Sequence, residues 1–413
     1  MQSYSGPLFL GIDYGTTRVK ASILTEDDLI LSTYSISWNE ANCNKYFLSD
    51  WLKILKKVVR GVFDQCDIGS QFLVCVAITT MSPCIVLLDP RSEYSSSPII
   101  LYDEVLSLNQ TQSRTQRVNS AIKILNGFTP NSSNTENFVL TVNAWLVWQL
   151  TGELVIDNYS LHDILGDAQK NDIIDARFPD KVLSPAAVAG TMKQRWSGIL
   201  NIPLNVKVCC GSTDTVALVR ATKLKAGEYL VYLGTFFSLL EAKIDFSNGI
   251  PSEFVSLPYK WHIPLEGGAL IERLAASYFP LEESRNNQIA KYLEVAKNNL
   301  EINEKIMRTV IARKTWTLGT PVQMLPVLLD SNRINNSLPN LAVIPFISFA
   351  QALKVFFDNN KKVELVHVIG GLSSHKWITH FIGEYANIQC SSKINIVGAE
   401  GAALLAKDGM CDA

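Results

Sequence analysis

Apolar residues along the chain gather into short runs closed by Gly, Ser, Thr or Asp, and these runs set the expected order of elements. Leu8-Phe9-Leu10-Gly11-Ile12 is nearly continuous, as in a strand buried on both faces. It runs into Asp13-Tyr14-Gly15-Thr16-Thr17, and alternation returns at Val19, Ala21 and Ile23, so a strand, a tight turn and a second strand are expected. Asp28 to Trp38 continues as β structure. Residues 51–63 place apolar side chains at helical spacing with Lys and Arg opposite, and Ser49-Asp50 reads as the cap. Phe72 to Thr79 and Ile85 to Leu88 read as neighbouring strands around the polar turn Thr79-Thr80-Met81-Ser82-Pro83. Ile99-Ile100-Leu101 is a further apolar run, ending on Asp103 and Glu104. After a polar stretch over 110–137, Val142 to Leu150 predicts a helix stopped by Gly152, with Trp145 and Trp148 as core residues.

The second half repeats the opening plan. Val206 to Cys209 is a strand, followed by a Gly/Ser/Thr loop with Asp214 and then a helix. Residues 227–240 read as strand, Gly234-Thr235 turn and strand, so the chain presents two related halves. Gly267-Gly268 turns into a helix, and residues 281–313 are helical and charged. A strand over 361–369 ends in Gly370-Gly371-Leu372-Ser373-Ser374 before a helix over 376–385. The small-residue helix that begins at Gly398 offers a face that another element can approach closely. Strands alternating with helices throughout predict an α/β fold.

At 413 residues the chain exceeds one compact core, which predicts two domains, 1–217 and 218–413. A net charge of -2 argues against a nucleic-acid surface, and no apolar run is long enough to span a membrane. The eight Cys form no C-x-x-C pair and several lie in apolar runs, which points to a reducing cytoplasm rather than a disulfide or zinc framework. The first of the five His is His162, and no G-x-S-x-G elbow accompanies them, so a catalytic base would be a carboxylate.

The candidate chemistry sits in the turns. Gly11 and Gly15 allow a bend that points N–H groups at an oxyanion, with Thr16 and Thr17 adding hydroxyls and Asp13 a carboxylate for a hydrated metal ion. The same residues also make an ordinary hairpin with a polar turn. Asp214 reads either as a helix N-cap or as a general base, and Asp103 either as a cap or as a holder of sugar hydroxyls. Thr79 lies at a strand end, where α/β proteins usually meet ligands. Gly370 and Gly371 would let a flat ring lie against the backbone.

Six segments together resemble the FGGY carbohydrate kinases: Gly11-Ile12-Asp13-Tyr14-Gly15-Thr16-Thr17, Gly211-Ser212-Thr213-Asp214, Leu233-Gly234-Thr235, Gly267-Gly268, Gly370-Gly371-Leu372-Ser373 and Gly398-Ala399-Glu400-Gly401. The resemblance implies two ribonuclease H-like domains of the actin/hexokinase superfamily around a hinged cleft. It also implies ATP, Mg²⁺ and phosphoryl transfer to a primary hydroxyl of a small-molecule sugar. Asp214 would then be the catalytic base, in contact with substrate and a candidate metal ligand. Asp13 would steer the metal through water, and Gly15, Thr16 and Thr17 would form the first phosphate loop. Gly234 and Thr235, with Gly267 and Gly268, would form the second, and Gly370, Gly371 and Ser373 the adenosine site. Arg18, Thr79 and Asp103 would lie on the sugar side.

The chain departs from longer members at Thr79–Pro83 and at Tyr102-Asp103-Glu104, and Phe236-Phe237 is bulkier than the usual small residue. These departures and the short length resemble the compact D-ribulose kinase, xylulose kinase-like branch. D-ribulose is the favoured acceptor, with D-xylulose, a heptulose, glycerol or another polyol as alternatives. Two other readings are a non-catalytic actin-like ATP-binding protein and a decayed kinase kept as an interaction module. A cytoplasmic monomer or homodimer is expected, with no nucleic-acid or membrane partner.

Overall fold

The computed structural model describes residues 5–66, 68–89, 98–101, 114–127, 137–165, 177–234, 236–247, 249–250, 259–280, 282, 284–300, 338–359, 365–392 and 398–411. The chain divides into two compact units. The first is Met1–Lys223 with Phe246–Leu257 and Val397–Ala413, and the second is Leu224–Asp245 with Pro258–Ile396. A single cut after 217 is expected from sequence; the division falls at Lys223, and two later stretches rejoin the first unit.

The first unit opens with β1 (Leu8–Tyr14), β2 (Arg18–Thr25) and β3 (Ile30–Ser37), an antiparallel meander. Helix α1 (Leu48–Asp64) leads to β4 (Leu73–Thr80), which lies parallel to β1. Every residue of β1 is buried, because it runs through the middle of its sheet. The N-cap of α1 is Phe47 rather than Ser49 or Asp50. The Asp50 carboxylate instead accepts from the Asn44 backbone N–H at 2.8 Å and from Lys53, tying down the incoming loop.

Next come β5 (Ile85–Leu88), α2 (Arg114–Gly127), β6 (Phe138–Thr141), α3 (Val142–Thr151), β7 (Val155–Asp157) and α4 (Asn158–Leu165). Strand β5 pairs with β6, not with β4 as its position in sequence suggests. Both edges of β4 are already occupied, by β1 on one side and by β10 and β11 on the other. As expected, α3 ends at Gly152 in the left-handed region, Trp145 is in the core and Trp148 packs against it. The chain continues through β8 (Lys181–Leu183), β9 (Val188–Thr191), α5 (Gln194–Leu200), β10 (Lys207–Cys209), β11 (Ser212–Thr213) and α6 (Asp214–Thr222). The main sheet is ordered β3-β2-β1-β4-β10-β9, with β11 also on β4.

The second unit repeats this plan. Strands β12 (Tyr229–Leu233), β13 (Phe236–Ala242) and β14 (Tyr259–Glu266) form the meander. Helices α7 (Gly268–Tyr278), α8 (Arg285–Leu300) and α9 (Leu338–Asn359) precede β15 (Val366–Ile369), α10 (Lys376–Ala386) and β16 (Cys390–Ser392). The sheet order is β14-β13-β12-β15-β16, with β12, β15 and β16 parallel. Both units therefore share a three-two-one-four-five order with an antiparallel first half, the ribonuclease H-like arrangement expected from the resemblance. Among the described residues no helix is long and apolar enough to cross a membrane.

The last helix, α11 (Gly398–Cys411), belongs to the first unit and packs on β1 and α6. Small residues make this approach possible. A Cβ on Gly11 would lie 2.0 Å from the Ala399 carbonyl oxygen and 2.1 Å from the Ala403 nitrogen. A Cβ on Gly401 would lie 1.8 Å from the Ala217 carbonyl oxygen on α6. In both cases the obstacle is backbone, which cannot move aside as a side chain can. Near the far end of the helix, Asp408 receives two hydrogen bonds from Arg220 of α6, at 2.7 and 2.8 Å, fixing the helix along its length.

Gly11→Ala is expected to destabilise the protein by about 3 kcal/mol, since two backbones must separate. Gly198, in α5, has no atom within 4 Å of an added Cβ. Gly198→Ala should therefore stabilise by about 0.5–1 kcal/mol. Thermal unfolding of the two variants checks these opposite shifts.

Candidate active site

Three parallel strands of the first unit end side by side. Asp13 of β1 is in register with Thr79 of β4, and Thr79 with Ser212 of β11; Tyr14, Thr80 and Thr213 form the next row. Ligands of open α/β sheets are met outside this carboxyl edge. Asp13 is only 7% exposed. The Thr79 hydroxyl lies 3.3 Å from its Oδ1 and 3.4 Å from the Ile12 carbonyl oxygen, within donating distance of both. Burial raises the Asp13 pKa, while Lys20, its cross-strand partner on β2, and the Thr79 hydroxyl oppose the rise. A Cβ on Gly398 would lie 2.4 Å from Asp13 Oδ2, so the N-terminus of α11 abuts this carboxylate. The positive end of that helix dipole favours the charged form.

Asp214 is the first residue of α6, and Thr213 is the cap: its Oγ1 accepts from the Val216 N–H at 3.3 Å. The Asp214 carboxylate is thereby free of the capping role that its sequence position allows. It accepts instead from the N–H of Thr215 at 2.8 Å. The residue is half-buried, and its pKa is pushed up to about 7. Burial is the largest cause and repulsion from Asp13 the next, with Asp163 adding to it against the Thr215 hydrogen bonds. Two carboxyl groups thus compete for protons at one sheet edge, a pattern common at catalytic sites.

The first turn is held from below. Gly15 N–H donates to Arg18 O at 3.0 Å, and the Trp38 indole donates to Gly15 O at 3.1 Å. The Tyr14 ring stacks on Trp51 at 4.8 Å, and its hydroxyl donates to the Trp51 carbonyl. Thr16 is half-buried and Thr17 exposed at the tip. The Arg18 guanidinium donates to Ser35 Oγ at 2.8 Å and Ser35 O at 3.1 Å, and pairs with Glu40 at 3.1 Å. Asp103 lies outside the described residues.

In the second unit, Gly268 N–H donates to Gly234 O at 3.0 Å, joining the β12–β13 turn to the start of α7. A Cβ on Gly267 would be 2.1 Å from the Phe237 ring, and Phe237 is wholly buried in this unit's core. The bulky residue after the turn is therefore a core residue that makes a neighbouring glycine necessary. Thr235 lies outside the described residues. Gly370 has φ +108°, and a Cβ there would be 2.6 Å from Leu233 O. Ser373 closes this turn, its hydroxyl donating to Gly370 O at 2.7 Å, while an added Cβ on Gly371 would meet open space.

Sequence reading passed over two residues of the first unit, Lys20 and Asp157, and gave Gly398 only a place on a small-residue helix. Asp157 ends β7, is wholly buried, and accepts from Ser212 Oγ at 2.7 Å. Its only local signal is the spacing to Ser160, whose N–H it also receives at 2.9 Å, as an N-cap residue would. Among the described residues no group of three or more His, Cys, Asp or Glu could hold a metal ion. Asp13 and Asp214 nevertheless fit Mg²⁺, which typically takes one or two carboxylates and completes its shell with water and substrate phosphates.

No family model matches the sequence. Among solved structures, the chain is similar to a xylulose kinase from Lactobacillus acidophilus, 13% identical over 98% of this chain and 90% of that one, with a TM-score of 0.69. A gluconate kinase from the same organism is 13% identical, over 99% of this chain and 90% of that one, with a TM-score of 0.69. Plasmodium falciparum glycerol kinase, solved with ADP, is 14% identical over 100% of this chain and 91% of that one, with a TM-score of 0.67. The fold is that of the two-domain sugar kinases. At such identities the likeness carries fold, and the chemistry must be argued from the residues.

A carboxyl whose pKa is raised by folding binds protons more tightly in the folded state, so it lowers stability as pH climbs from about 4 to 7. Asp214→Asn removes that penalty. The variant should match the wild type near pH 4 and exceed its stability by roughly 1–3 kcal/mol at pH 8, partial exposure reducing the full value. Urea unfolding at the two pH values checks this.

Proposed function

We propose that the protein is an ATP-dependent sugar kinase of the FGGY type that transfers the γ-phosphoryl group to a primary hydroxyl of a ketopentose. The observation that carries this reading is the sheet edge where Asp13, Thr79 and Ser212 share a row and Asp214 follows at the start of α6, released from capping and with its pKa pushed up to about 7. A base of that pKa is matched to removing a proton from a sugar hydroxyl near pH 7. Phosphoryl transfer otherwise needs placement and charge neutralisation, which the N–H groups and hydroxyls of the first turn, with Lys20 of β2 opposite Asp13, can offer to phosphates.

Asp13 and Asp214 would hold Mg²⁺, Asp13 through water. When bound, the ion neutralises phosphate charge. We assign Gly15, Thr16 and Thr17 to the first phosphate loop, Gly234, Thr235, Gly267 and Gly268 to the second, and Gly370, Gly371 and Ser373 to the adenosine site. The first unit would thus carry the sugar-side groups and the first phosphate loop, and the second unit the second loop and the adenosine site. Gly371 leaves its space open, as a ring lying on the backbone would need. The neighbour solved with ADP supports nucleotide use.

The named neighbours act on xylulose, gluconate and glycerol, so the fold serves several hydroxylated acceptors. Our choice of D-ribulose rests on the replacements at residues 79–83 and at Tyr102-Asp103-Glu104. D-xylulose is the next acceptor to test. Coupled ADP-release measurements across ketoses and polyols should show release stimulated by a ketopentose, with the rate rising as pH passes through about 7. Asp214→Asn should keep ATP binding and lose transfer by at least about 10²–10⁴-fold. Sugar-independent release, or none, would replace the kinase with an ATPase switch or an inactive relative.

A further inference from the structure

The short strand that delivers Asp214 has little to hold it. β11 is two residues long, Ser212 and Thr213, and its ladder runs to β4 alone. The chain reaches it through Gly211, which has φ +67° and sits where a Cβ would be 2.0 Å from Ile78 O. The firmest side-chain hold on this strand is a buried acid. Asp157 Oδ1 accepts from Ser212 Oγ at 2.7 Å and from Ser160 N–H at 2.9 Å, and Oδ2 accepts from Asn143 Nδ2 at 3.4 Å. Asp157 is 0% exposed.

A neutral Asn or Ser caps a helix about as well as Asp does, without the cost of burying a carboxylate. A cap for α4 therefore does not explain an acid at this position. What the carboxylate adds is a strong acceptor shared by three elements: α3 through Asn143, α4 through Ser160 and β11 through Ser212. Helix α4 also carries Asp163, whose charge bears on Asp214. Among the described residues, the ionisable groups bearing on Asp214 are Asp13 of β1 and Asp163 of α4, and Asp157 in turn bears on the buried Cys210 thiol.

We propose that Asp157 is the positioning residue for Asp214, fixing through Ser212 the short strand that carries the base. This inference rests on the reading of Asp214 as the base. Asp157 touches no reacting atom; it sets where the base stands.

The test uses the full-length chain and ketopentose-stimulated ADP release, normalised to the folded fraction. In Asp157→Asn the new amide faces the Asn143 amide, donor against donor. Ser212→Ala removes the hold on β11 and leaves the Ser160 cap in place. Both variants should lower kcat by about 10–100-fold, the cost of a base displaced by up to about 1 Å, with KM for ATP within about twofold. Asn143→Asp combined with Asp157→Asn restores donor to acceptor and should recover most of the lost rate. If Asp157→Asn does not fold, Ser212→Ala decides alone. Ser212→Ala with wild-type kcat, beside an inactive Asp214→Asn, would overturn this inference and leave the base in place. An active Asp214→Asn would overturn the base reading itself.

Discussion

Repulsion between two partly desolvated carboxylates at one sheet edge is the constraint around which the first unit is built. Asp13 and Asp214 come from elements far apart in sequence and are brought to the same edge by parallel pairing on β4. Water would relax such a pair, but burial limits it. The surroundings compensate unequally. Asp13 has Lys20, Thr79 and the start of α11, whereas Asp214 has chiefly the N–H of Thr215. Asp13 is thus the better-supported anion and Asp214 the group that holds a proton near neutrality. A division of labour between acids follows when neighbouring environments separate their proton affinities.

That arrangement needs backbone contact at very short range. Helix α11 reaches Asp13 only because Gly11, Gly398 and Gly401 leave no Cβ in the way. The Arg220–Asp408 pair then holds the far end of the same helix against α6, whose first residue is Asp214. A two-hydrogen-bond pair of this kind is costly to bury and more costly to break, so it specifies one seating for the helix. In the second unit, glycine serves comparable ends by other means: a buried Phe237 excludes a side chain at 267, and left-handed backbone does so at 370.

Much of this was legible in the sequence because it is local. The apolar run into Asp13, the alternation that follows it and the repeat of this plan around Gly234 all express short-range periodicity, and each forms the hairpin expected. Trp145 as core and Gly152 as a helix stop are likewise decided within one turn of chain. The pairing of β5 was misread because strand partners depend on which edges are already filled, and no window of sequence reveals that. The cap of α6 was ambiguous for a different reason: Thr213 and Asp214 are both good capping residues, and only the backbone decides between them. Lys20 and Asp157 were passed over because their partners, Asp13 across the hairpin and Ser212 in another element, are contacts of the folded chain.

The account turns on the proton affinity of one side chain and its cause. The most direct measurement is a carbon-13 NMR titration of the Asp214 carboxyl in the wild-type protein and in Asp13→Asn. The account requires a midpoint of about 7 in the wild type and a lower one once the Asp13 charge is gone. A midpoint in the ordinary carboxylate range near 4, or one that Asp13→Asn leaves unmoved, would contradict it.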